Sequence, residues 1–337
     1  MKIYFKNLDG LRFLAAFLVI LDHAQYFKTL NSSPLSSLFA TYFKNTGRMG
    51  VNLFFVLSGF LISYLLMSEQ VKTGTIQLKN FYIRRILRIW PLYFLYGFGI
   101  IILSTTFFQL LGIQTHILSH DTWTNVVFLI LFAVNVQFVT IGHNAGMVEI
   151  LWSVCIEEQF YLVWPVLLKR FKFKIINLIF ILFLIGLLSK IVLFLITRHS
   201  NRNDDYMLLF NYVMLPNKVE LFAAGMAAAY FHFNRDKFFS FFKLIQYVWI
   251  QVIMVIITLF YTFTDLYLNV IPSYFLSDFV ACLLYGYIVL LVIQPKSFIN
   301  LEYPLIRTLG KISYGIYLFH PPICHLTLLL MTRFLKI

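Results

Sequence analysis

Apolar stretches of about 20 residues recur along this chain, near 8–27, 49–67, 86–104, 150–168, 175–197, 211–231, 244–264, 274–294 and 311–332. A shorter one lies near 124–140. A helix of about 20 residues crosses the roughly 30 Å hydrocarbon core of a bilayer. Inside hydrocarbon the backbone satisfies its polar groups only as helices or closed barrels. The pattern therefore predicts an all-α fold, a polytopic transmembrane helical bundle of about ten membrane segments. Nine are full spans and one is short or re-entrant. The stretches between are too short for a soluble domain and show no internal repeat, so residues 1–337 read as a single membrane-embedded domain. Composition agrees, with 60% hydrophobic and only 12% charged residues, where a soluble domain carries about 25% charge.

The net charge of +13 points to nucleic acid in a soluble protein. Here Lys and Arg cluster at the ends of apolar stretches, which reads as membrane topology and anionic-lipid contact. Cys155, Cys282 and Cys324 lie in apolar stretches without metal-ligand spacing and read as small buried residues. No metal or nucleic acid is expected. The first stretch follows Lys2 and Lys6 as a signal peptide would, but it is long and carries Asp9 and Arg12. It also lacks a small-residue cleavage site, so it reads as retained.

Basic residues set the orientation. Lys72, Lys79, Arg84, Arg85 and Arg88, then Lys169, Arg170, Lys172 and Lys174, then Arg235, Lys237 and Lys243 mark three cytoplasmic stretches. Residues 105–149 contain no Lys or Arg and belong outside. The N-terminus is then cytoplasmic. A full crossing at 124–140 would push the basic stretch 169–174 outside, so that segment is expected to dip in and return, or to lie in the interface.

Against this apolar background a few polar groups stand out. The first stretch holds Asp9, Arg12, Asp22 and His23. An ionisable group in hydrocarbon costs roughly 2.5–3.5 kcal/mol on insertion scales, so such groups face the interior, pair and mark sites. Arg12 and His23 are eleven residues apart and nearly eclipsed on a helix, with Asp9 close to the same stripe. Ser153, Glu157 and Tyr161 share a face of the 150–168 stretch at i, i+4 and i+8. Glu157 and Glu158 fall at a depth similar to His23. A carboxylate beside an imidazole fixes its tautomer and raises its basicity, and the pair could deprotonate a hydroxyl; it could equally be a structural hydrogen bond. Arg84, Arg85 and Arg88 can aim their forks one way, as phosphate binding requires, or serve as an ordinary basic flank. Arg12 would extend that surface. Gly47, Gly50, Ser58 and Gly59, with Asn52 among them, permit close helix approach. Tyr317 and His320, at i and i+3 before Pro321-Pro322, could line a cavity, and the prolines would kink the last span. Lys190, Lys218 and Glu220 lie in or beside apolar stretches, and the last two could also line a cavity.

Taken in order, these motifs resemble the acyltransferase-3 family of integral-membrane acyltransferases, which includes O-acetyltransferases of O-antigen and surface polysaccharide. The motifs are Leu8-Asp9-Gly10-Leu11-Arg12 with His23, Gly50 through Phe60, and Arg84-Arg85 through Arg88-Ile89-Trp90-Pro91. They continue with Leu151-Trp152-Ser153 and Glu157-Glu158-Gln159-Phe160-Tyr161, and close with Gly310 through His320. The resemblance implies a bacterial inner-membrane enzyme without a bound cofactor. Its donor would be a cytoplasmic acyl-coenzyme A, usually acetyl-coenzyme A, and its acceptor a hydroxyl of a polysaccharide or lipid-linked sugar. It also implies a catalytic His23, donor-binding Arg12, Arg84, Arg85 and Arg88, and supporting roles for Asp9, Asn52, Ser58, Ser153, Tyr161, Tyr317 and His320. Some members carry an extracytoplasmic hydrolase-like domain. None is present in these residues, so the chain is expected to act alone or with a separate partner. On this reading His23, polarised by Glu157 or Glu158, serves as general base; a covalent acyl-histidine is the alternative. A small metabolite or lipid is the alternative acceptor. A proton-coupled transporter or flippase is the competing class, but the lack of a repeat counts against it.

Overall fold

The computed structural model describes residues 3–30, 40–43, 45–107, 122–141, 146–171, 174–200, 210–264 and 273–331. Among them every regular element is helical. The main helices are α1 (Leu8–Leu30), α2 (Thr46–Thr73), α3 (Leu78–Ile102), α4 (Thr122–Ile130), α5 (Val134–Ile141), α6 (Trp152–Arg170) and α7 (Ile175–Ser200). They continue with α8 (Val219–Phe233), α9 (Phe239–Leu244), α10 (Val248–Phe263), α11 (Ser273–Val292), α12 (Pro304–Lys311) and α13 (Ser313–Leu330). Lys172 of the second basic stretch and parts of 105–149 lie outside the described residues.

Four stretches among the described residues are long and apolar enough to cross a membrane: Thr46–Thr73, Leu78–Thr106, Met147–Arg170 and Ile175–Ile196. Three apolar helices are shorter: Val219–Phe233, Val248–Phe263 and Ser277–Val292. Several sequence stretches are thus divided where a continuous span is expected. The 211–231 run is interrupted by a 3-10 turn at Leu215–Asn217, because Pro216 has no N–H to give a helix. The 244–264 run becomes a helix only from Val248. The 311–332 run is preceded by the separate helix α12 and begins at Ser313. Pro321 and Pro322 lie within α13, which runs on to Leu330.

The chain forms two compact units, Met1–Leu65 with Leu221–Ile337, and Leu66–Glu220. In the first, small residues set the contacts. A Cβ on Gly50 would strike the carbonyl of Ala15 on α1. Gly59 and Gly225 interlock, each backing onto the other helix's backbone, at Phe222 and Val56. Such stripes let apolar helices approach where burial from water supplies no drive. The start of α1 is tied down by Asn7, which adopts φ +66°, a conformation Asn tolerates better than most residues. Its Nδ2 donates to the carbonyls of Val292 (2.8 Å) and Ile299 (3.0 Å). Its Oδ1 accepts from the N–H of Leu301 (2.7 Å). Its own N–H donates to the Glu302 carboxylate, which also accepts from the Tyr4 hydroxyl.

In the second unit the 124–140 stretch is two short helices, α4 and α5, of 9 and 8 residues. Each is about 12–13 Å long, too short to cross. Gln137 Nε2 donates to Asn125 Oδ1 at 2.6 Å. Twelve residues of straight helix would hold those side chains about 18 Å apart, so the chain folds back on itself. The reversal is at Leu131–Ala133, with Phe132 at φ +51°. Its tip exposes Ile130 (53%) and Leu131 (67%). Helix α7 turns Ile176, Phe180, Leu184 and Leu188 outward and keeps one charge inside. That charge is Lys190, buried in an ion pair with Glu220, whose carboxylate lies against Gly186.

Candidate active site

The centre of the first unit is a pair of imidazoles. His23, the sixteenth of the 23 residues of α1, lies with its Nδ1 2.8 Å from Nε2 of His320 on α13. The His320 Nδ1 is 2.6 Å from the carbonyl oxygen of Tyr317. A carbonyl only accepts, so His320 Nδ1 carries the proton and donates it. His320 Nε2 is then the acceptor, and His23 Nδ1–H is the donor to it. This fixes the tautomer of His23, with the lone pair on Nε2. The relay thus ends in a basic nitrogen. The Tyr317 ring packs against His320 at 5.9 Å and against Phe54 at 5.8 Å. Both His320 and Tyr317 are buried.

Two further polar groups of α1 keep the stripe expected from sequence. Arg12 Nη1 pairs with Asp9 Oδ1 at 3.7 Å. It sits about 16 Å from His23 along the helix. The Asp22 carboxylate lies against Gly47 of α2, where any Cβ would collide with it. Next to Gly47, Arg48 bonds the hydroxyl of Ser277 and faces the buried Asp278 Oδ1 at 3.9 Å, both on α11. Asn52 Nδ2 reaches the same Asp278 oxygen at 3.4 Å. Tyr261 of α10 donates to the Ser277 carbonyl at 2.6 Å. Asn52 therefore belongs to a buried ionic cluster whose other members were not singled out in the sequence. Its signal there is a lone carboxylate, Asp278, within an apolar run. Ser58 is half-buried on α2.

The remaining sequence candidates lie in the second unit. Glu158 accepts from Trp90 Nε1 at 2.9 Å. Glu157 accepts from the Tyr161 hydroxyl at 3.1 Å. Within the first unit His23 is thus partnered by His320, and within the second the partners of the two carboxylates include an indole and a phenol. Arg85 stacks over the rings of Phe81 (5.6 Å) and Tyr161 (5.8 Å). Its buried Nε has no hydrogen-bond partner, and neither does the buried Glu158 Oε1. Arg84 is exposed and pairs with Glu69 at 3.7 Å, and Arg88 is exposed. Ser153 is buried in the first turn of α6. Lys218, also buried, stands over the Tyr212 ring at 5.6 Å.

The acyltransferase-3 family, described as an acyltransferase domain, matches residues 5–335. The O-acetyltransferase OatA of Staphylococcus aureus strain NCTC 8325 is 30% identical over 335 residues, covering 95% of this chain and 50% of the relative. A putative O-acetyltransferase of Staphylococcus aureus strain COL is 27% identical over 338 residues, covering 94% and 50%. The chain spans about half the length of these curated relatives. No solved structure is a significant match.

Proposed function

The chain belongs to the acyltransferase-3 family, and from that premise we propose that it is a membrane O-acetyltransferase. On this reading it lies in the bacterial cytoplasmic membrane with its N-terminus inside. It takes acetyl from cytoplasmic acetyl-coenzyme A and passes it to a hydroxyl of a surface polysaccharide or lipid-linked sugar. The relatives' printed names support the O-acetyl reading. The orientation is supported by the cations gathered at the start of α1. Arg307 stands over the Tyr4 ring at 5.3 Å, and Lys6 and Lys311 flank the same end.

The single observation that carries the chemistry is the chain Tyr317 carbonyl, His320, His23. The acceptor hydroxyl gives its proton to His23 Nε2 as its oxygen attacks the thioester carbon. The imidazolium so formed shares its charge through Nδ1–H with His320. When the tetrahedral intermediate collapses, the C–S bond breaks and His23 returns the proton to the departing sulfur, giving free thiol and the acetyl ester. A positioned general base contributes about 10²–10⁴-fold. Arg84, Arg85 and Arg88 hold donor phosphate, and the buried, unpartnered Nε of Arg85 supports this, since Arg binds phosphate through a fork of N–H donors.

The test is slow thiol release from acetyl-coenzyme A by the purified protein, with water as the stand-in acceptor hydroxyl, alongside acetyl-coenzyme A binding. Wild type is expected to bind and release thiol. Arg85→Ala is expected to bind about tenfold more weakly, as loss of a charge-assisted hydrogen bond implies. A wild-type protein that binds no acyl-coenzyme A would overturn the donor assignment.

A further inference from the structure

Beyond the end of α8 the chain turns into α9 and shapes a half-open cavity of about 540 Å³, within the size range of small-molecule sites. Its walls are Arg235, Asp236, Phe239, Phe242, Lys243 and Gln246. The proposed mechanism uses none of them. We propose that this cavity holds the adenosine 3′-phosphate end of the acyl-coenzyme A donor, an assignment that rests on the acetyltransferase reading above.

The lining supplies partners for the phosphate and the purine of that group. Arg235 and Lys243 are exposed cations on the cavity wall, suited to a phosphate through a fork and a point charge. The Phe239 ring is 68% exposed and offers a face on which a purine can stack. The Gln246 amide has both a donor and an acceptor for the purine edge. Asp236 can accept a hydrogen bond from the purine amino group. An anionic lipid headgroup would use the cations but leave the aromatic face and the carboxylate without a role.

Reach is the second, independent argument. Phe242 of the cavity wall lies 6.5 Å from the His232 ring, and that ring lies 5.8 Å from Phe5, just ahead of α1. The cavity is therefore at the N-terminal end of α1, and His23 is fifteen residues further along from Leu8. Leu8 to His23 is about 22 Å of helix, and the cavity stands beyond Leu8, so only an elongated donor could occupy both ends. A nucleotide at one end and the reacting thioester at the other suits the elongated form of a coenzyme A thioester.

The experiment uses the full chain in neutral phosphatidylcholine nanodiscs. Adenosine 3′,5′-bisphosphate binding is titrated calorimetrically, and thiol release is followed with acetyl-coenzyme A and its 3′-dephospho analogue. The variants are Arg235→Ala and Lys243→Ala, with Lys237→Ala as an exposed neighbour outside the cavity. Both cavity variants are expected to weaken bisphosphate binding about tenfold, or 1.4 kcal/mol. They should raise KM for acetyl-coenzyme A by a similar factor at unchanged kcat and erase the preference over the dephospho analogue, while Lys237→Ala matches wild type. Equal bisphosphate binding in all proteins overturns the assignment, as does an equal loss in Lys237→Ala. Displacement of the bisphosphate by phosphatidylglycerol, with no change in KM, reassigns the cavity to lipid. If bisphosphate binds and the variants lose it, yet wild type binds no acetyl-coenzyme A, the nucleotide cavity stands and the acetyltransferase reading falls.

Discussion

His320 is the residue whose role changes most between sequence and structure. In the sequence it is one of two polar side chains before a Pro-Pro pair, with function and structure equally open. In the fold it orients His23 and fixes which nitrogen of His23 is basic. Helical periodicity places Arg12 and His23 on one stripe but does not say which distant helix answers it, because a separation of 297 positions between the two imidazoles leaves no periodic trace. His320→Ala is therefore expected to lower kcat about tenfold to a hundredfold while leaving acetyl-coenzyme A binding intact, the pattern of a lost transition-state interaction. Its pH profile should also move, since His23 loses the acceptor that stabilises its imidazolium. Unchanged kcat and pH profile in a folded His320→Ala protein would contradict the relay. The Arg48–Asp278 pair makes a separate, structural prediction. Asp278 is buried while Arg48 is part-exposed, so removing Arg48 should cost somewhat less than the roughly 3–5 kcal/mol of a fully buried pair, and replacing both with apolar groups far less again. Thermal stability in detergent should fall steeply for Arg48→Ala and recover in Arg48→Met/Asp278→Leu.

At the scale of elements, the sequence shows where helices are and is weaker on where they stop. Apolar content alone does not report the break at Leu215–Asn217 or the separate start of α12. Those ends are made by Pro216 and Pro304 and by side chains bonding to backbone. The fastening of α1 is such a case. Asn7 satisfies two carbonyls and one N–H from residues 292–301, and no pattern around Asn7 announces it. An unsatisfied buried group costs about 1–3 kcal/mol, so Asn7→Ala should destabilise by at least that much. The neighbouring Glu302 adds a pH dependence. Burial pushes its carboxyl up, but the Tyr4 hydroxyl, the Asn7 N–H and the charges of Arg307 and Lys6 outweigh this and hold it below its ordinary value. Tyr4 in turn is pushed up to about 12 by burial and by Glu302. A depressed carboxyl stabilises the fold above its unfolded pKa, and that contribution disappears as pH falls through the folded value. Glu302→Gln should flatten the acid limb of a stability-against-pH curve while leaving its neutral and alkaline parts parallel to wild type.

For the whole molecule, the helical membrane character was legible from segment length and composition, and the family from the order of its motifs. The count of about ten segments is not confirmed: among the described residues four stretches meet the length and hydropathy of a span, and others are divided. The α4–α5 hairpin gives a direct test of topology. In a cysteine-free background, Trp123→Cys and Thr140→Cys, both exposed at the open end of the hairpin, should label from the same, outer face, and Lys311→Cys from the inner one. Labelling of Trp123→Cys and Thr140→Cys from opposite faces would mean that the hairpin crosses. The central claim is that His23 Nε2, set by His320, is the base of acetyl transfer. Its most direct test is single-turnover thiol release from bound acetyl-coenzyme A, with water standing in for the acceptor hydroxyl, by His23→Ala beside wild type. Undiminished binding with turnover reduced by about 10²–10⁴ is the expected result; a folded His23→Ala protein that releases thiol at the wild-type rate would contradict it.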